Sequence, residues 1–147
     1  MKRNSTIIVF LFSIAVIFNS CKKEEGCTDK NASNYAVDSE EDDGTCTYKG
    51  SVVFWYNQNS SAGLYNDFSE SLMFYVDGNL VGSTAVTQYW GGAPSCGSNA
   101  SITVEKDLGL VKSKSYNYQV IDDWGDVIWD GNVTIDANSC YQLQLVY

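Results

Sequence analysis

Histidine is absent from this chain. With it go every catalytic dyad or triad built on imidazole and every zinc site that takes a histidine ligand. Basic side chains are scarce, nine Lys and Arg against eighteen Asp and Glu, for a formal net charge of −9. Nucleic-acid binding requires basic groups to neutralise phosphate, so this balance argues against a nucleic-acid partner and against attraction to anionic lipid headgroups. The sequence holds no C-x-x-C pair, no serine–lysine motif and no glycine-rich phosphate loop, which leaves little for catalysis and makes a non-enzymatic role the expectation. A sustained helical period is missing too, and beyond residue 18 no apolar run is long enough to cross a bilayer.

What is present begins with a processing segment. Lys2 and Arg3 form a short basic region, and Ile7 to Phe18 follow with Ser13 as the only polar member. A membrane-spanning helix needs about 20 apolar residues; this shorter run suits the h-region of a signal peptide. Phe18-Asn19-Ser20-Cys21 then resembles a bacterial lipobox, in which a small residue precedes the cysteine that becomes the lipidated first residue of the mature chain; Phe18 and Asn19 stand in place of the commoner Leu and small residue. The resemblance implies that residues 1–20 are a lipoprotein signal peptide and that Cys21 is the lipid-attachment residue, joining the protein to the membrane. The alternative is an ordinary signal peptide cut near Ser20. Each buried methylene contributes about 0.8 kcal/mol, so one acyl chain anchors weakly and two anchor stably. Residues 21–25 are a charged tether, and Lys22-Lys23-Glu24-Glu25 resembles the signal that carries some Gram-negative lipoproteins to the outer leaflet. The expected location is the outer membrane, at the cell surface, with the periplasmic face as the alternative.

Assigning Cys21 to lipid leaves four of the five cysteines, which allow three pairings. Spacing favours Cys27 with Cys46 and Cys96 with Cys140, each pair lying within one compositional unit, and export places the chain where disulfides form. Residues 26–48, GCTDKNASNYAVDSEEDDGTCTY, resemble a short repeat of secreted and surface proteins of Gram-negative bacteria, of the form G-C-T-D-P-x-A-x-N-Y…D-D-G-S-C-x-Y. Gly26, Cys27, Thr28, Asp29, Ala32, Asn34, Tyr35, Asp42, Asp43, Gly44, Cys46 and Tyr48 fall on the pattern; Lys30 and Val37 stand where prolines are usual. The resemblance implies an extracellular spacer-like module with no activity to transfer. So short and polar a segment needs a staple, which Cys27–Cys46 would supply, with Asp43-Gly44 as the turn. Its acidic run also offers oxygen ligands to a calcium ion, the candidate set being Asp29, Asn31, Asp38, Asp42 and Asp43. The run is no EF-hand: counted from Asp38, the glycine comes one place late and Lys49 stands where a bidentate Glu belongs. The alternative is a solvated acidic loop.

From residue 49 onward the periodicity is two. Val52, Phe54 and Tyr56 alternate with Val53, Trp55 and Asn57, and Leu72, Phe74 and Val76 with Met73, Tyr75 and Asp77. Asp77-Gly78-Asn79 is a hairpin signal. Similar runs follow near Ile102, Tyr116, Val127 to Ile135 (with Asp130-Gly131 as a kink, bulge or turn) and Tyr141. About seven strands with one apolar face each predict an all-β domain over residues 49–147, an antiparallel β-sandwich of immunoglobulin-like or transthyretin-like architecture, with a small β-barrel as the alternative.

Two features invite chemistry. Asp122-Asp123 is a carboxylate pair of the kind acid–base catalysis uses, although Asp-Asp-Trp-Gly-Asp also reads as a hairpin turn. Tyr89, Trp90 and Trp124 sit in expected loops, where residues on a rigid sandwich often carry function, and flat aromatic faces suit sugar rings. The sequence therefore points to a non-catalytic envelope lipoprotein acting as a structural, adhesion or protein-interaction module. Its alternative is a carbohydrate-binding surface lipoprotein using those three rings, so that the partner is an envelope protein or a glycan.

Overall fold

The structure, a computed structural model, describes residues 23–147. The signal segment, Cys21 and Lys22 lie outside the described residues. In chain order the elements are β1 (Glu25–Gly26), β2 (Glu41–Asp42), β3 (Tyr48–Trp55), α1 (Gln58–Asn66), β4 (Ser71–Val76), β5 (Asn79–Ala85), β6 (Ile102–Gly109), β7 (Ser113–Asp122), β8 (Val127–Asp136) and β9 (Cys140–Gln144). A three-stranded sheet of order β6-β3-β9 faces a four-stranded sheet of order β5-β4-β7-β8. The alternating residues meet between them: Val52 and Phe54 from one sheet, Leu72, Phe74, Val76 and Val120 from the other, all buried. Phe54 lies 5.7 Å from Phe74 and 5.5 Å from Tyr118, ring centre to ring centre. The fold is thus the expected all-β sandwich; its sheets do not close into a barrel.

Asp77 and Gly78 both take left-handed backbone angles, φ 50° and 73°, and Val76 pairs with Asn79. This is the two-residue turn whose twist matches that of its flanking strands. Asp130-Gly131 does not break β8, which runs on through it, paired to Gln119 and Tyr118.

Two expectations need correction. The sandwich is not antiparallel throughout, because β9 pairs with β3 in parallel. Parallel neighbours need a long connection, and here the whole of β4 to β8 supplies it. Second, a helix is present. Asn57 caps α1 by accepting from the Ser60 N–H at 3.0 Å, yet the buried helix residues are Ser60, Ser61 and Leu64. A buried face made largely of serines leaves no apolar stripe to read. The expected module of residues 26–48 packs with the β domain. Glu25 and Gly26 pair with Glu41 and Asp42, the Cys27–Cys46 disulfide forms, and Cys27, Ala32 and Cys46 join Tyr48 in the same hydrophobic core as the sandwich. The boundary after residue 48 falls inside β3.

Residues 87–101 cover the outer face of the smaller sheet. They are held there by the Cys96–Cys140 disulfide, by Gln142 Nε2 donating to the Pro94 carbonyl at 2.9 Å, and by the Gly97 N–H donating to Thr103 Oγ1 at 2.9 Å. Thr103 and Gln142 are the two cross-strand neighbours of Val53, which is accordingly fully buried although it points away from the main core. The disulfide therefore fastens a second cover, consistent with the structural role expected of it. In the loop-entropy account such a closure contributes about 3–4 kcal/mol.

At Gly50 the backbones of β3 and β8 come close: a Cβ there would lie 2.2 Å from the Asp136 carbonyl oxygen. Gly50→Ala is expected to cost about 1–3 kcal/mol by forcing the strands apart, whereas Gly91→Ala, with nothing within 4 Å, should stay within about 0.5 kcal/mol of wild type. Urea denaturation of the two variants checks this; equal effects would contradict the packing.

Candidate functional site

Asp29, Asn34, Asp42 and Asp43 of the acidic module are engaged in hydrogen bonds, all within the module except one from Lys112 of the sandwich. Asp29 Oδ1 accepts from the Asn31 N–H at 2.9 Å, and its Oδ2 accepts from the Tyr48 hydroxyl at 2.9 Å and from Lys112 Nζ at 2.6 Å. Asp42 accepts from the Gly44 N–H, and Asp43 from the Thr45 N–H and hydroxyl. Asn34 bridges the fold of the module, donating to the Thr45 carbonyl and accepting from the Thr47 N–H, both at 2.8 Å. Short polar side chains that bond nearby backbone make turns, and Asp29, Asn34, Asp42 and Asp43 do so here. Of the calcium candidates Asp29, Asn31, Asp38, Asp42 and Asp43, the carboxylates of Asp29, Asp42 and Asp43 are taken up in these bonds, and among the described residues no group of three His, Cys, Asp or Glu side chains is placed to hold a metal.

Asp122 and Asp123 are also scaffolding. They end β7 and begin the turn into β8, as the hairpin reading has it. Asp122 is buried; its Oδ1 accepts from the N–H groups of Trp124 and Asp126 at 3.0 and 2.9 Å, and its Oδ2 from the Ser69 hydroxyl at 3.0 Å. Asp123 accepts from the N–H groups of Glu70 and Ser71 at 2.8 and 3.1 Å, bonds that lower its pKa. The pair ties residues 69–71 to the β7–β8 turn.

What this clamp positions is an aromatic end. The Trp124 indole Nε1 donates to the Phe68 carbonyl at 3.0 Å, and Tyr65, Phe68 and Trp124 surround an open depression of about 480 Å³ with Asn66, Ser69 and Glu70. All three rings face solvent, at 64%, 79% and 70% exposure. Phe68 is unusual in its backbone. The helix ends with Phe68 N–H donating to the Tyr65 carbonyl and Ser69 N–H to the Leu64 carbonyl, the Schellman arrangement, in which the left-handed residue is usually glycine. Here it is phenylalanine, at φ 64°, a conformation that costs a bulky residue about 1–2 kcal/mol.

Of the three ring residues chosen from sequence, only Trp124 belongs to this end. Tyr89 and Trp90 line a separate depression with Asn57, Gln58 and Asn59, at the start of α1, and the Trp90 N–H is fixed to the Tyr56 carbonyl. Tyr65 and Phe68 are missed because the first lies within an unrecognised helix and the second just after it; an aromatic just after a helix end, where glycine is usual, is the signal that would have found Phe68. Comparison with known proteins finds no family model that matches the chain, and no curated protein or solved structure that matches it.

The hydrogen bond from Lys112, with those from Asn31 and Tyr48, holds the Asp29 carboxyl at a pKa of about 2 against an ordinary 3.8. A depressed carboxylate stabilises the fold above its unfolded pKa and loses that contribution as pH falls through its folded one. The link between module and sandwich should therefore weaken between 3.8 and about 2. Melting curves taken across that range should show a smaller acid-induced drop for Asp29→Asn than for wild type; parallel curves would contradict the assignment.

Proposed function

We infer that this is a non-catalytic cell-envelope lipoprotein, anchored through acylated Cys21 and displayed on the outer-membrane surface, which acts as an adhesion or protein-interaction module through the Tyr65–Phe68–Trp124 end. The lipobox-like segment and the charged tether support the anchoring. The observation that carries the contact role is Phe68. Its ring adds nothing to the core, its backbone conformation is one that glycine would adopt without cost, and its carbonyl is gripped by the indole of a second exposed ring. Residues held in costly conformations by surrounding structure cluster at contact and switch sites, and exposed aromatics fixed in place lose little entropy when a partner covers them.

The alternative, carbohydrate binding by Tyr89, Trp90 and Trp124, shares the exposed Trp124 ring. Those three residues line two depressions near opposite ends of α1, so a sugar using all three would have to span the helix.

The test separates contact from folding. Phe68→Gly is expected to keep or raise the melting temperature, since it removes a left-handed penalty of about 1–2 kcal/mol. A photo-reactive phenylalanine analogue at position 68 of the membrane-anchored chain, irradiated on intact cells, should form a discrete adduct with an envelope protein. The same analogue at Val37, exposed on the module, should not. No adduct from position 68, or the same adducts from both positions, would contradict the proposal.

A further inference from the structure

A second surface is built differently. On the outer face of the four-stranded sheet, Tyr75, Gln119 and Asp130 stand opposite one another across β4, β7 and β8, and two residues along the strands Asn117 stands opposite Asn132. With about 4.8 Å between strands and about 3.3 Å per residue along them, these five side chains occupy a patch roughly 10 Å by 7 Å. They line one depression of about 550 Å³, within the range of about 300–1,000 Å³ usual for small-ligand sites.

The chemistry of this patch is specific. Three carboxamides each present a donor and an acceptor side by side, a carboxylate adds two acceptors, and the half-buried Tyr75 adds a ring flanking them. Among the described residues none of the four amide and carboxylate side chains has a hydrogen-bond partner, whereas at the neighbouring β4–β5 turn Asn79 donates to the Asp77 carbonyl and Asp77 accepts from the Asn117 N–H. Adjacent hydroxyls, each both donor and acceptor, match a carboxamide edge, while the C–H face of a sugar ring matches an aromatic side chain. Charge narrows the choice. Among the described residues no basic side chain lines the depression, and Asp130 together with the acidic surface would repel an anionic polymer.

We propose that the outer face of the four-stranded sheet, around Tyr75, Asn117, Gln119, Asp130 and Asn132, is a binding site for a neutral saccharide. It shares no residue with the aromatic end and does not depend on the contact role given to Phe68. It also places sugar recognition on the sheet rather than in the loops.

The test uses the full acylated chain in dodecylphosphocholine micelles, a detergent without a sugar headgroup, titrated with maltoheptaose, cellohexaose, xylohexaose and laminarihexaose, and with polygalacturonate as the anionic control. The side-chain amide resonances of Asn117, Gln119 and Asn132 should move with at least one neutral oligosaccharide and not with polygalacturonate. Gln119→Ala should weaken that binding roughly tenfold, the cost of one or two hydrogen bonds, and Trp124→Ala should leave it unchanged. Amides unmoved by all four neutral sugars, stronger binding of polygalacturonate, wild-type affinity in Gln119→Ala, or loss of binding in Trp124→Ala would each overturn the proposal.

Discussion

The structure depends on one strand being covered on both sides. β3 takes β6 on one edge and β9 on the other, presses Val52 and Phe54 into the space between the sheets, and presents Val53 to the opposite side, where residues 87–101 close over it. A sheet of three strands with one face in water would bury too little to hold a long connecting segment in place. Adding a second cover, fastened by Cys96–Cys140, Gln142 and Thr103, turns that connection into part of the fold. The same strand begins at Tyr48, which takes the acidic module into the common core through Cys27, Ala32 and Cys46. The backbone immediately beyond β3 leads through Tyr56 and Asn57 into α1.

From that frame the two surfaces follow. α1 is fixed at its start by the Asn57 cap, and along its length by residues 145–147: the Ser60 hydroxyl donates to the Leu145 carbonyl at 3.4 Å, the Tyr147 N–H donates to the Ser60 hydroxyl oxygen at 3.1 Å, and the Tyr147 hydroxyl donates to Asp67. The Trp129 indole donates to the Val146 carbonyl at 2.9 Å, which ties the same segment to β8. The end of α1 therefore cannot drift, and Phe68 and Trp124 are presented at a set distance from the sheet. The outer face of the larger sheet owes its order to the continuous pairing of β4, β7 and β8, which sets the spacing of Tyr75, Gln119 and Asp130.

Much of this was legible from residues alone, for definite reasons. Alternation identified the strands because each has one buried face, Asp77-Gly78 identified its turn because few residues tolerate two successive positive φ angles, and the cysteine pairings followed from compositional units. The parallel direction of β9 was not legible, since alternation carries no information on strand direction. Nor was α1, whose buried side chains are mainly serines. The acidic run of residues 38–43 was ambiguous in the sequence because aspartates near backbone N–H groups make turns as readily as they hold cations. For the two proposed surfaces, the sequence offered aromatics in loops. It could not show that Trp124 pairs with Phe68, 56 residues away, or that Asn117 and Asn132 stand on adjacent strands.

Native-state hydrogen exchange tests the frame most directly. If β3 is locked by covers on both faces, the backbone amides of Val52, Val53 and Phe54 should exchange only through global unfolding, with a free energy equal to that from denaturant titration. Exchange of Val53 at a much lower free energy, in step with residues 87–101, would show that the outer cover opens on its own and would contradict the account.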